Sequence, residues 1–228
     1  MSDSVRLPFS DRSEAGRLLA QRVAALQAVD PVVFALPRGG VPVALEVACS
    51  LGAPLELILV RKIGVPYQPE LAVAAVVDGG EAQIVVEPQV LAATGITREA
   101  IDAWARIELR EIERRRQSYL AGREQVPVAG RTAIVVDDGI ATGTTMRAAL
   151  KALARRAPGR LILAVPVAPP ETLESLRAEV DEVVCLATPV EFGAIGRFYR
   201  DFHQLSDAEV IAALDRNASG RGTIGRAD

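Results

Sequence analysis

The sequence predicts an α/β fold, with a central, mainly parallel sheet and helices on both faces. Three observations carry this. Short apolar runs such as Pro31–Leu36, Thr132–Val136 and Arg160–Val165 alternate with longer stretches of helical periodicity. Half of the 228 residues are apolar but only 4% are aromatic, so the core must be built from Ala, Val, Leu and Ile. That composition suits strands buried on both faces beneath helices. The length allows one substantial core, and a single domain over residues 1–216 is expected.

The elements follow in chain order. Asp11 to Ala28 reads as an amphipathic helix, with Leu18, Leu19, Val23 and Leu26 on one side. Pro31–Leu36 is an apolar strand. Val41–Leu51 is a short helix with Pro42 in its first turn and Gly52 after its end, where each residue is tolerated. Leu55–Arg61 is a second apolar strand. Residues 63–80 mix Gly, Pro and polar groups and read as a flexible loop leaving the core. Gln83–Glu87 is a small strand. Thr97–Leu120 is a long, charge-rich helix with a narrow apolar stripe through Ile101, Trp104, Ala105 and Ile112. Strand Thr132–Val136, a helix to Arg156, strand Arg160–Val165, a helix over Glu171–Ala178 and strand Glu182–Ala187 complete the alternation. The end of the sequence, 217–228, is rich in Gly, Arg and Ser and is expected to be disordered.

Composition also bounds function. A net charge of −3 offers no general attraction to nucleic acid or to an anionic membrane. The run Arg114-Arg115-Arg116 reads as a solvated helix face. Cys49 and Cys185 have no metal-ligand neighbours and read as buried free thiols in a reducing compartment. No basic-then-apolar leader opens the sequence and no apolar run is long enough to span a bilayer, so the cytoplasm is the expected location.

The chemistry concentrates after the apolar run Ala133–Val136, which leads into Asp137, Asp138, Gly139, Ile140, Ala141, Thr142, Gly143, Thr144 and Thr145. Helical spacing then resumes at Met146, Ala149, Leu150 and Leu153. The free N–H groups of a helix start attract an anion, and small residues let the backbone approach it. Carboxylates accept hydrogen bonds from neutral hydroxyls such as those of a ribose. A receiver-type phosphoacceptor site also places paired Asp residues after a strand, but it fits poorly with a pair past the middle of the chain that opens into Thr-Gly-Thr-Thr.

The segment Val135–Thr145 resembles the phosphoribosyl-pyrophosphate (PRPP) signature of type I phosphoribosyltransferases. The resemblance implies that Asp137 and Asp138 meet the ribose 2- and 3-hydroxyls and that Ala141 to Thr145 wrap the 5-phosphate, with Gly139 leading into that loop. It places Arg38, Gly39 and Gly40 at the pyrophosphate, with unusual backbone angles exposing N–H groups and a cis or otherwise unusual peptide between Leu36 and Gly39. Arg61 and Lys62 would precede a closing loop and neutralise the departing pyrophosphate. Residues 188–215 would form a hood over the acceptor, and Phe192, Phe198, Tyr199 or Phe202 could stack on it. His203 reads as a structural histidine. Magnesium is implied, held largely by PRPP oxygens, with Asp137 or Asp138 as protein ligands; as neighbours on a strand the two acids need not do the same job. The implied partners are PRPP and a small nitrogenous acceptor, in a homodimer, with no nucleic acid or membrane. Ala141 stands where hypoxanthine-guanine enzymes of the family carry Asp, which argues against a 6-oxopurine and leaves the acceptor open. The other reading is a non-catalytic PRPP sensor or binding subunit of the same fold.

Overall fold

The structure is a computed structural model and describes residues 5–78, 83–120 and 122–224. Its main sheet has five parallel strands: β1 (Pro31–Ala35), β2 (Leu55–Leu57), β6 (Thr132–Val136), β7 (Arg160–Val167) and β8 (Glu182–Ala187), in the order β2-β1-β6-β7-β8. Alternate residues of these strands feed two cores. On one face Val33, Ala35, Ile134, Val136, Ile162 and Ala164 pack beneath α1 (Arg12–Ala24), α2 (Gly40–Leu51) and α7 (Asp207–Ile224). On the other, Val32, Phe34, Ala133, Val135, Leu161 and Leu163 meet α5 (Thr144–Ala154) and α6 (Pro170–Leu176). This is the period-2 burial that a doubly covered parallel sheet requires.

A second, three-stranded antiparallel sheet is formed by β3 (Leu59–Val65), β4 (Gln68–Asp78) and β5 (Gln83–Val86). The run expected as one strand over Leu55–Arg61 is therefore split at Ile58 between two sheets. Of the stretch 63–80, expected as a flexible loop, residues 63–78 are strand on both sides of a tight turn at Pro66-Tyr67, and residues 79–80 lie outside the described residues. Gly and Pro do mark a turn here, but the apolar run Leu71–Val77 has nowhere to be buried except in a paired strand. The hairpin register shifts around Gly64. A short helix, α3 (Pro88–Thr94), precedes α4 (Arg98–Leu120). Ile101, Ala105, Ile112 and Tyr119 of α4 are buried in the core shared with this sheet. The narrow apolar stripe is thus used within the chain.

The end of the chain differs most from expectation. The stretch from Asn217, expected to be disordered, continues α7 through Ile224; residues 225–228 lie outside the described residues. Val210, Ala213 and Leu214 of α7 join the core with α2, so only the part before Asp207 of the segment 188–215, expected as a hood, is left outside that core. Asn217 is buried; its Oδ1 accepts from the Leu55 N–H at 3.0 Å and its Nδ2 donates to the Ala53 carbonyl at 3.1 Å. Cys49, expected to be buried, is exposed, whereas burial pushes the Cys185 thiol up to about 11. Arg114 and Arg115 pair with Glu111, and Arg116 lies 3.8 Å from Asp78, so the arginine run is internally compensated. Among the described residues no helix is long and apolar enough to cross a membrane.

Candidate functional site

The sheet places the acidic pair. β1 and β6 are adjacent and in register, with Ala35 opposite Val136. The loop after β1 and the loop after β6 therefore leave the same end of the sheet side by side. The peptide between Pro37 and Arg38 is cis, within the four residues where an unusual peptide was expected. Gly39 has ordinary right-handed angles, φ −58° and ψ −41°, and the Gly40 N–H is bonded to the Leu36 carbonyl at 3.0 Å. These glycines are therefore required by close approach rather than by unusual angles. A Cβ on Gly39 would fall 2.1 Å from Asp138 Oδ2, and one on Gly40 would fall 2.8 Å from the Val136 carbonyl oxygen.

The strand ends at Val136, so both acids lie beyond it and turn different ways. Asp137 borders two chambers, and its Oδ1 accepts from the Asp138 N–H at 2.9 Å. Asp138 is 7% exposed and its Oδ2 accepts from Arg12 Nε at 2.8 Å. Burial, then the neighbouring Asp138 charge, holds the Asp137 carboxyl well above the usual range; burial raises Asp138 too, against the pull of Arg12.

The first chamber, about 190 Å³, is lined by Lys62, Asp137, Gly139, Ile140, Ala141, Thr142, Gly143, Thr145, Met146 and Ile195. Thr144 opens α5 and does not line it. Gly143 caps that helix at φ +77°, a left-handed angle that glycine adopts without strain. The first turn of α5 then presents N–H groups and threonine hydroxyls, a ready anion seat. Thr172 Oγ1 donates to the Ala141 carbonyl at 2.8 Å and braces the loop from α6. Lys62 and Arg61 are adjacent on β3 and so face opposite ways. Lys62 faces the loop; Arg61 pairs with Glu108 of α4 at 2.7 Å. Arg61 is therefore withdrawn from the predicted site: it fastens the hairpin to α4.

The second chamber, about 320 Å³, is lined by Arg12, Arg38, Gly39, Asp137, Asp138 and the hood segment Phe202–Leu205. Arg38 Nη1 lies 3.7 Å from Asp207 at the start of α7. The hood aromatics are already engaged. Phe192, Phe198 and Tyr199 are buried with Phe9, and Phe202 carries the Arg12 guanidinium 3.8 Å from its ring centre. His203 is exposed at the chamber mouth, with its ring nitrogens bonded to Asp201 and Glu209; Glu209 and then Asp201 raise its pKa above the usual 6.5. Sequence reasoning misses Arg12 and Thr172, and offers Tyr199 as a ring to stack on the acceptor rather than as the donor to the Asp138 carbonyl that it is. Only Arg12 leaves a trace there, as a cation in the first turn of a helix, where the macrodipole disfavours it.

Among the described residues no three His, Cys, Asp or Glu side chains are grouped to hold a metal ion. Among these same residues Asp137 and Asp138 are the only acids lining either chamber, and one Asp138 oxygen is given to Arg12. Such a donor set fits a hard divalent ion that brings most of its oxygen ligands with it on a polyphosphate, and not a resident metal in a protein cage.

The parallel sheet thus carries at its strand ends an acidic pair, set between a Gly/Thr loop at a helix start and an arginine-lined chamber. The chain belongs to the phosphoribosyl transferase domain family, whose pattern matches residues 12–202. It is 49% identical over 208 residues to proteins from two Mycobacterium tuberculosis strains that are provisionally named phosphoribosyl transferases. The match covers 91% of this chain and 46% of theirs, so the chain spans about half the length of these curated relatives. The crystal structure of TT1426 from Thermus thermophilus superposes with a TM-score of 0.81 at 42% identity, over 91% of this chain and 98% of that one.

Proposed function

We propose that the protein transfers the 5-phosphoribosyl group of PRPP to a nitrogenous acceptor and releases pyrophosphate. The observation that carries this reading is the position of Asp137, which borders both chambers. A ribose lying across the acidic pair would place its 5-phosphate on the Gly139–Thr145 loop and the group on C1 towards Arg38 and Gly39. Breaking the C1–O bond leaves positive charge on the ribose and negative charge on pyrophosphate. Arg38 stabilises the leaving group, Lys62 adds positive charge over the loop, and the acids orient the ribose hydroxyls. Magnesium, carried by PRPP and met by Asp137, would supply further charge neutralisation. Ala141 offers the acceptor no carboxylate, so this site selects its nitrogen nucleophile without a side-chain hydrogen bond from that position.

The test is pyrophosphate release from magnesium–PRPP across a panel of purines, pyrimidines and amines. At least one acceptor should support turnover, and Asp138→Asn should abolish it. PRPP binding without release from any acceptor would identify a sensor instead.

A further inference from the structure

Arg12 is the first residue of α1, yet its guanidinium reaches away from its own helix. It is 8% exposed and spans two other parts of the molecule. Nε donates to Asp138 Oδ2 at 2.8 Å, Nη1 donates to the His203 carbonyl at 3.0 Å, and the planar head lies 3.8 Å from the Phe202 ring centre. The hood reaches the same acid by a second route, because Tyr199 Oη donates to the Asp138 carbonyl at 2.5 Å. Behind these contacts the hood backbone is laced to the residues just before α1. Phe9 N–H donates to the Phe198 carbonyl, Arg200 N–H to Phe9 and Asp201 N–H to Ser10, all at 2.8–2.9 Å.

We propose that Arg12 is a positioning residue that ties the hood segment Tyr199–Leu205 to the acidic pair, so that filling the ribose site and seating the hood become one event. The proposal rests on the reading that Asp138 meets the ribose. A guanidinium is a rigid planar fork. With one nitrogen on the acid, another on the hood carbonyl and its face on a hood ring, it cannot follow the carboxylate without moving the hood. Charge-assisted hydrogen bonds out of water are strong enough to transmit that displacement. The coupling is reciprocal: whatever fixes the carboxylate steadies the hood, and a seated hood prepares the carboxylate.

The experiment is hydrogen exchange at the Arg200, Asp201 and His203 amides, first without ligand. Asp138→Asn should speed exchange there severalfold in the native background and add nothing once Arg12→Gln is present. Additive effects, or no effect of Asp138→Asn on the hood, would overturn the proposal. Should Arg12→Gln not fold, Arg12→Lys takes its place; it keeps the cation but loses the fork, so it too must remove the coupling. In the second arm, saturating magnesium–PRPP should slow exchange at these amides about tenfold in the native protein. It should leave them unchanged in the Arg12 variant at concentrations where calorimetry shows both proteins filled. Equal protection in the two would overturn the proposal. No calorimetric heat with the native protein would overturn the PRPP reading alone, and the ligand-free arm would still decide the role of Arg12.

Discussion

The two chambers beside Asp137 are built in different ways. The loop chamber is almost one piece of chain: residues 137–146 supply nearly all its walls, with Lys62 and Ile195 added from outside. The hood chamber is assembled from four distant pieces, at Arg12, Arg38–Gly39, Asp137–Asp138 and Phe202–Leu205. A wall made of one strand–loop–helix turn is fixed as soon as that turn folds. A wall made of four pieces is fixed only when all four dock, so its shape depends on contacts such as those of Arg12.

The largest expected effect sharpens this contrast with two glycines. A Cβ on Gly40 meets backbone, at 2.8 Å from the Val136 oxygen and 2.9 Å from the Asp137 Cα, so the first loop would have to leave the acidic pair. Gly40→Ala should cost about 1–3 kcal/mol in denaturant unfolding, and the displaced geometry should lower turnover on the order of a hundredfold or more. A Cβ on Gly139 meets side chains instead of backbone, Ile195 Cγ2 at 2.8 Å and Val167 Cγ1 at 3.1 Å. Gly139→Ala should therefore be milder in both measurements, and equal losses would break the comparison.

The hairpin supplies the next contrast. Lys62→Ala should lower turnover by about two orders of magnitude, the loss of one transition-state charge donor, with PRPP affinity falling less. Arg61→Ala should leave turnover near native and cost at most about 1 kcal/mol, because its pair with Glu108 is partly exposed. If Arg61→Ala reduced turnover as strongly, the opposite facing of the two residues would be wrong.

A smaller effect concerns the acids themselves. Folding raises the Asp137 carboxyl, so the native state resists ionising it, and stability falls as pH rises through the unfolded value towards the raised folded one. Asp137→Asn should then raise the melting temperature at neutral pH by roughly 2–4 °C, the shift that about 1 kcal/mol produces in a chain of this size. The gain should vanish at a pH below the unfolded carboxylate value, while turnover is lost at every pH. The smallest effect is at His203, the single histidine, which one NMR titration reads without ambiguity. Its midpoint should lie above 6.5 and return towards 6.5 in Glu209→Gln. The contribution of this clasp is complete below the unfolded value and lost as pH rises through the folded midpoint.

The same contrast explains what can be read in advance. The loop chamber is legible because strand, acids, glycines, threonines and helix are consecutive. The parallel sheet is legible because each buried strand is a self-contained apolar run. Sequence misplaces Arg61 because two neighbouring cations look alike until the strand assigns them opposite faces. The middle of the second sheet, from Ile63 through β4, reads as a loop because Gly64, Pro66 and Pro69 hide the pairing of the apolar run that follows them. Arg12, and the bond that Tyr199 makes, are beyond sequence reasoning: the partner of both, Asp138, is 126 and 61 residues away along the chain.

Asn217 has a consequence for how this chain should be handled. β2 is an outer strand, and its outward-facing Leu55 N–H and Ala53 carbonyl would be open to pairing with any extended peptide. One amide side chain occupies both positions, imitating a missing neighbour. A fragment trimmed at residue 216, where composition alone suggests that the ordered part stops, would lose that plug. It should purify as aggregates, through edge-to-edge association that the longer chain prevents.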